Sequence, residues 1–323
     1  MKKFIINIAS TSLVSAALLC ALTWFGNDTI KNADFKLDAE KHIIAIGPST
    51  IGCALKSDII DGFQNLSRNG SSFDVITPIL PKILDENPQI DTVWINHGRL
   101  IFKLMTDTTS ITENTRLQDL RYKMPLIIYG RETMDMKVLL SNINFYSAVL
   151  NPDPLKVVIR VINPSKNLEY FRFVDISKGD MYNLYKNNAP WGIHWYDSTA
   201  AVNNKDVYSE KWIRENCSSN DYWIREAIKI CQERGVVPVL FCTPLYQYER
   251  WWPRDEFADY IKAYGKNILI ADYEDFEFPS DSMYGDVHHL NKYGAEYFSK
   301  YIQENGLKTE TISEWLVRNS KKQ

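Results

Sequence analysis

Three residues of this chain, Ser49, Asp286 and His289, have the types needed to turn a hydroxyl into a nucleophile. A serine hydroxyl attacks poorly until a neighbouring base takes its proton, and imidazole suits that work near neutral pH. Ser49 stands in Gly47-Pro48-Ser49-Thr50, where a tight turn would hold its hydroxyl above the end of a strand. His289 stands in Asp286-Val287-His288-His289-Leu290-Asn291, with Gly294-Ala295 following. The spacing of three between Asp286 and His289 lets both lie on one side of a turn. The carboxylate can then fix the imidazole tautomer while the other ring nitrogen faces the serine. Such a set performs acyl transfer through a covalent intermediate. Each segment also has a plainer reading. Serine is a frequent helix cap, and Asp286 and Asn291 would serve as caps beside a partly buried His289 ring.

The elements around these residues must bring positions far apart in sequence to one place. His42-Ile43-Ile44-Ala45-Ile46 reads as a buried strand that ends at the Gly47-Pro48 turn. Ile51, Leu55 and Ile59 recur every four residues, which predicts a helix after Ser49 that stops near Gly62. Phe63 to Leu66 predicts a short strand before the polar loop Ser67-Arg68-Asn69-Gly70. Apolar residues from Phe73 to Leu84 have helical spacing, broken by Pro78 and Pro81. Thr92-Val93-Trp94-Ile95 is the next strand. Trp223, Ile224, Ala227, Ile228 and Cys231 mark a helix stopped by Gly235, and Val236 to Cys242 a strand ending at Thr243-Pro244. Ile268 to Ala271 is expected as the last strand, and Tyr293 to Glu304 as the closing helix. This alternation implies an α/β fold with a mostly parallel sheet covered by helices on both faces. Residues 106–215 break the rhythm and read as an insertion.

In the chain as a whole, 45% of the 323 residues are hydrophobic and 24% charged, enough apolar material for a core. A net charge of −3 offers no positive field for a phosphate backbone, so nucleic acid is excluded as a partner class. Lys2 and Lys3 precede an uncharged run from Phe4 to Phe25. As a helix this run spans roughly 33 Å, membrane length. Residues 1–25 therefore read as an uncleaved signal anchor with a cytoplasmic N-terminus, and 26–40 as a juxtamembrane spacer. Residues 41–305 form the expected domain and 306–323 a C-terminal tail. The five cysteines make no CxxC pair and no Cys/His cluster with zinc spacing, so no metal site is expected. Cys231 and Cys242 fall in apolar patterns and read as buried free thiols.

The Ser49 and Asp286–His289 segments together resemble the SGNH (GDSL-like) hydrolase family. Its first block is Gly-Asp-Ser, and its last is Asp-x-x-His before a terminal helix. Asn65-Leu66-Ser67-Arg68-Asn69-Gly70 resembles the second block, whose glycine N–H helps hold an oxyanion. The strand Val236 to Pro244 also fits, and the resemblance covers roughly residues 41–100 and 220–305. It implies a flavodoxin-like α/β fold, a three-layer sandwich with a mostly parallel sheet, preceded here by the transmembrane helix. In that fold Ser49 attacks, His289 takes and returns the proton, Asp286 orients His289, and the N–H groups of Ser49 and Gly70 hold the oxyanion. Two positions depart from the pattern. Pro48 stands where the family has Asp, and Leu100 where the third block has its Asn, leaving Asn96 or Arg99 to supply that oxyanion donor. His97 reads either as a further site residue or as a satisfied loop histidine. The implied activity is that of an extracytoplasmic, membrane-anchored serine esterase or acyl-transfer enzyme. Its substrate would be an acylated carbohydrate or similar small molecule, with no cofactor. Two rivals stay open. One keeps the fold for binding or assembly without turnover. The other is a structural membrane protein whose Trp191, Trp195 and Tyr196 form a partner surface.

Overall fold

The computed structural model describes residues 1–31, 35–67, 73–98, 218–246, 254–285 and 289–320. The insertion expected at 106–215, with Trp191, Trp195 and Tyr196, lies outside these residues. Helix α1 covers Lys2–Lys31, and its stretch Lys2–Phe25, in which an 18-residue window has a mean hydropathy of 2.0, is long and apolar enough to cross a membrane. The helix runs on through Gly26 to Lys31, into the stretch that composition marks as a spacer. No proline interrupts it, and one glycine costs a helix only about 1 kcal/mol. α1 belongs to one unit of the chain, and the strands and helices of Lys36–Thr112 and Phe173–Gln323 to another.

Six strands among the described residues build one mixed sheet: β1 (Ile43–Ile46), β2 (Phe63–Asn65), β3 (Thr92–His97), β4 (Val237–Cys242), β5 (Leu269–Asp272) and β6 (Glu310–Thr311). Their order is β2-β1-β3-β4-β5-β6. The first five are parallel, and β6 is antiparallel to β5. The winding reverses between β1 and β3, because β2 lies on one side of β1 and all later strands on the other. In open parallel sheets such a reversal opens a crevice beyond the carboxyl ends of the strands. Ser49 follows the carboxyl end of β1 at that place.

Among the described residues, the α-helices beside the sheet strands are α2 (Ser49–Gly52), α3 (Phe73–Ile76), α4 (Leu80–Glu86), α5 (Ser218–Glu233), α6 (Arg254–Ile261), α7 (Lys292–Asn305) and α8 (Ile312–Ser320). Strand side chains alternate between faces. Ala45, Trp94, Phe241 and Ala271 share one core cluster with Phe298 and Ile302 of α7. Trp94 lies between the rings of Phe63 and Phe241, with centroids 4.8 and 5.3 Å away. Each such pair adds about 0.5–1.5 kcal/mol beyond its buried area. The opposite face carries Ile44, Ile46, Val93, Ile95, Leu240 and Ile270, all fully buried. There α5 packs on β3 and β4, with Ile224, Ala227, Ile228 and Cys231 as its buried stripe. Burial on both faces explains why the strands are continuous apolar runs. Pro78 and Pro81 divide the 73–86 segment into α3, a 3-10 turn at Thr77–Ile79 and α4, as their ring chemistry requires.

Two expectations are corrected. The helix expected from Ser49 to Gly62 is the single turn α2. The Lys56 N–H, which a continuing helix would send to the Gly52 carbonyl, donates instead to Ser299 Oγ at 2.9 Å, and Asn65 of β2 holds the Ile51 and Leu55 carbonyls with its Nδ2 at 3.2 and 2.9 Å. The Leu55 carbonyl is the acceptor that a continuing helix would offer Ile59, whose N–H turns instead to Lys56 at 3.2 Å. Ile60 rather than Ile59 then enters the core. The second correction concerns residues 306–323, expected as a tail. They supply β6 and α8, so β5 is not the last strand. Ile312 and Trp315 are buried, and Trp315 Nε1 donates to Asp272 Oδ2 at 2.8 Å.

Candidate active site

The turn that presents Ser49 is built by three adjacent residues. Gly47 has φ 148°, and a Cβ there would collide with the Cβ of Asn96, so conformation and space both demand glycine. Pro48, with φ −74° and ψ −170°, carries the chain into α2, leaving Ser49 half-buried at its first position. Ser49 Oγ lies 2.8 Å from His289 Nε2, although the two residues are 240 positions apart in sequence. In the tautomer that carries its proton on Nδ1, Nε2 accepts the serine proton, as a general base must.

His289 is held by ties on both sides. The Gly285 N–H donates to the His289 carbonyl at 2.8 Å, and an antiparallel bridge joins Tyr284 to Leu290. Asn291 caps α7, its Oδ1 accepting from the N–H groups of Tyr293 and Gly294, each at 3.0 Å. Its Nδ2 reaches back to the carbonyls of Ser282 at 2.5 Å and Tyr284 at 3.3 Å. Gly294 permits this closure, since a Cβ at that position would run into the Met283 carbonyl. Capping thus falls to Asn291 and leaves the His289 ring for Ser49. Asp286 and His288 lie outside the described residues, as do Gly70, Arg99 and Leu100.

Asn96 is fully buried beneath the Ser49 turn. Its Oδ1 accepts from Thr50 Oγ1 at 2.5 Å, and its Nδ2 donates to the Phe241 carbonyl at 3.2 Å. Both ends of the amide that was expected to face an oxyanion therefore have partners inside the fold. Asn65 is fully buried on the other side of β1. Besides holding the Ile51 and Leu55 carbonyls, its Oδ1 accepts from the N–H of Ser67 at 3.0 Å and from the Ser67 hydroxyl. The motif around Ser49 gives Thr50 no role, and the segment that begins at Asn65 points to Gly70 alone. The signal that marks Asn65 and Asn96 is asparagine inside apolar strands, where it is depleted and must be satisfied if buried. His97 belongs to a different environment. Strand alternation turns it to the face opposite Asn96, where Phe257, Tyr260 and Tyr264 meet its ring edge-on at 5.4, 5.9 and 5.4 Å.

Among the described residues of the domain, the cysteines are buried away from a nucleophile's role. Cys53, Cys231 and Cys242 are free and buried. Burial pushes the Cys231 thiol up to about 12 against the opposing charge of Arg234, so the thiolate is absent at neutral pH. No family model matches this chain, and no curated protein matches it.

Proposed function

We propose that this chain is a membrane-anchored, extracytoplasmic serine esterase or acyl-transfer enzyme of the SGNH (GDSL-like) type, acting on an acylated carbohydrate or similar small molecule. The observation that carries the reading is the 2.8 Å approach of Ser49 Oγ to His289 Nε2 at the carboxyl end of β1. The order β2-β1-β3-β4-β5, which is the flavodoxin-like order, supports the fold assignment. Ser49 Oγ bonds to the ester carbonyl carbon while its proton passes to His289 Nε2. Asp286 orients the ring through Nδ1, and the backbone N–H groups of Ser49 and Gly70 hold the oxyanion. The tetrahedral intermediate then releases the alcohol, protonated by His289, and leaves an acyl-serine. Water or an acceptor hydroxyl, deprotonated by the same ring, takes the acyl group and restores the serine. Lys2 and Lys3 stay inside, α1 spans the membrane, and the domain acts beyond it.

A fluorophosphonate probe tests the reading directly. The folded wild-type chain is expected to be labelled on Ser49 and the Ser49→Ala chain to be blank. A folded wild type that takes no label would end the hydrolase reading and leave a non-catalytic binding protein.

A further inference from the structure

We propose that Thr50, anchored by Asn96, is a positioning residue that aims the Ser49 hydroxyl at His289; this rests on the reading of Ser49 as nucleophile. The case starts from the shortness of α2, a single turn of four residues. An isolated helical turn fixes several dihedral angles for one hydrogen bond and does not hold its shape alone. Something outside it must therefore set the direction of Ser49.

The strands on either side of β1 supply that hold. From β3, Asn96 accepts the Thr50 hydroxyl at 2.5 Å and is fixed to β4 by its 3.2 Å bond to the Phe241 carbonyl. Gly47 presses against the same Asn96, so the residues before Pro48 and after Ser49 rest on one side chain. From β2, Asn65 holds the Ile51 and Leu55 carbonyls that follow. Both asparagines are fully buried, and Thr50 is 4% exposed. A turn that only reversed the chain would pack on aliphatic residues at these strand positions without the cost of burying amides. Of these side-chain bonds to the turn, the one from Thr50 is made by the residue next to Ser49. Loss of its hydroxyl frees that end of the turn while Asn65 still holds the other.

The test compares Thr50→Val, which keeps the shape and removes the hydroxyl, with Thr50→Ser, which keeps the hydroxyl, in the full chain. The fluorophosphonate reaction is resolved into probe affinity and the rate of bond formation at saturating probe, alongside the melting temperature. The Thr50→Val rate is expected to fall about 10- to 100-fold with probe affinity unchanged, while Thr50→Ser stays within about 3-fold of wild type, as for a misaimed reacting group. A Thr50→Val rate equal to wild type, or a Thr50→Ser rate as low as Thr50→Val, overturns the inference. So does a Thr50→Val deficit that vanishes when rates are compared at equal distances below each melting temperature. A folded wild type that takes no label overturns the nucleophile reading and this inference with it, whereas a labelled wild type with an indifferent Thr50 removes the inference alone.

Discussion

Ser49 has one proton to lose and one neighbour placed to take it. Because His289 makes the 2.8 Å contact, Ser49→Ala and His289→Ala are each expected to lower hydrolysis of a short acyl ester about 1000-fold or more. His288→Ala should keep most of the activity. Initial rates on one chromogenic ester decide the matter, and equal losses in the two histidine variants would refute the pairing. The serine and the histidine are legible in the sequence because each stands in a short motif whose spacing has chemical meaning. Thr50, Asn65 and Asn96 are harder to read. Their partners lie on other strands, and a side-chain amide that braces a distant carbonyl leaves no periodic trace. Asn96 shows the limit well, since its type suits an oxyanion donor and only its burial reveals the bracing contacts.

Among the elements, those buried on both sides are legible and those defined by one contact are not. β1, β3 and β4 read as continuous apolar runs because helices cover both faces of the sheet. The end of α2 depends on the reach of Ser299 from α7 and of Asn65 from β2, which no count of Ile51, Leu55 and Ile59 reveals. β6 is too short and polar to show a period, yet it leads into α8, which is tied to β5 through Trp315 and Asp272 and to β6 through Arg318. Arg318 pairs with Glu310 at 2.5 Å and approaches Asp272 at 3.7 Å. Trp315 is 1% exposed and meets Phe257 edge-on at 5.7 Å. Trp315→Ala is therefore expected to destabilise the domain by about 3–5 kcal/mol, measured by urea unfolding of the variant and the wild type. A change below about 1 kcal/mol would mean that α8 is dispensable to the core.

For the whole molecule, two outcomes follow from its charges and its length. If the proposed orientation holds, with Lys2 and Lys3 inside, protease added to intact spheroplasts should digest the domain and leave a short membrane fragment containing α1. Full protection, once the outer envelope is removed, would reverse the orientation. Alkaline stability follows from Tyr273, whose hydroxyl burial pushes up to about 12 despite the N–H that Lys308 donates to it at 2.9 Å. An unfolded tyrosine ionises near 10, so above that pH the unfolded chain gives up this proton while the folded one keeps it. Its contribution is complete below about pH 10 and declines as pH rises from there through about 12. Tyr273→Phe should remove that part of the decline, read from unfolding midpoints across the same range. A decline just as steep in Tyr273→Phe would assign it to other groups. Under the proposed function, the contact between Ser49 and His289 also bears on when the protein can begin to work. It joins positions 240 apart, and β6 and α8 come later still. If Ser49 is the nucleophile, a growing chain carries it for 240 residues before its base is made. Over that interval the hydroxyl is mute, and the order of two residues along the chain acts as a safety catch released only when His289 folds back onto it.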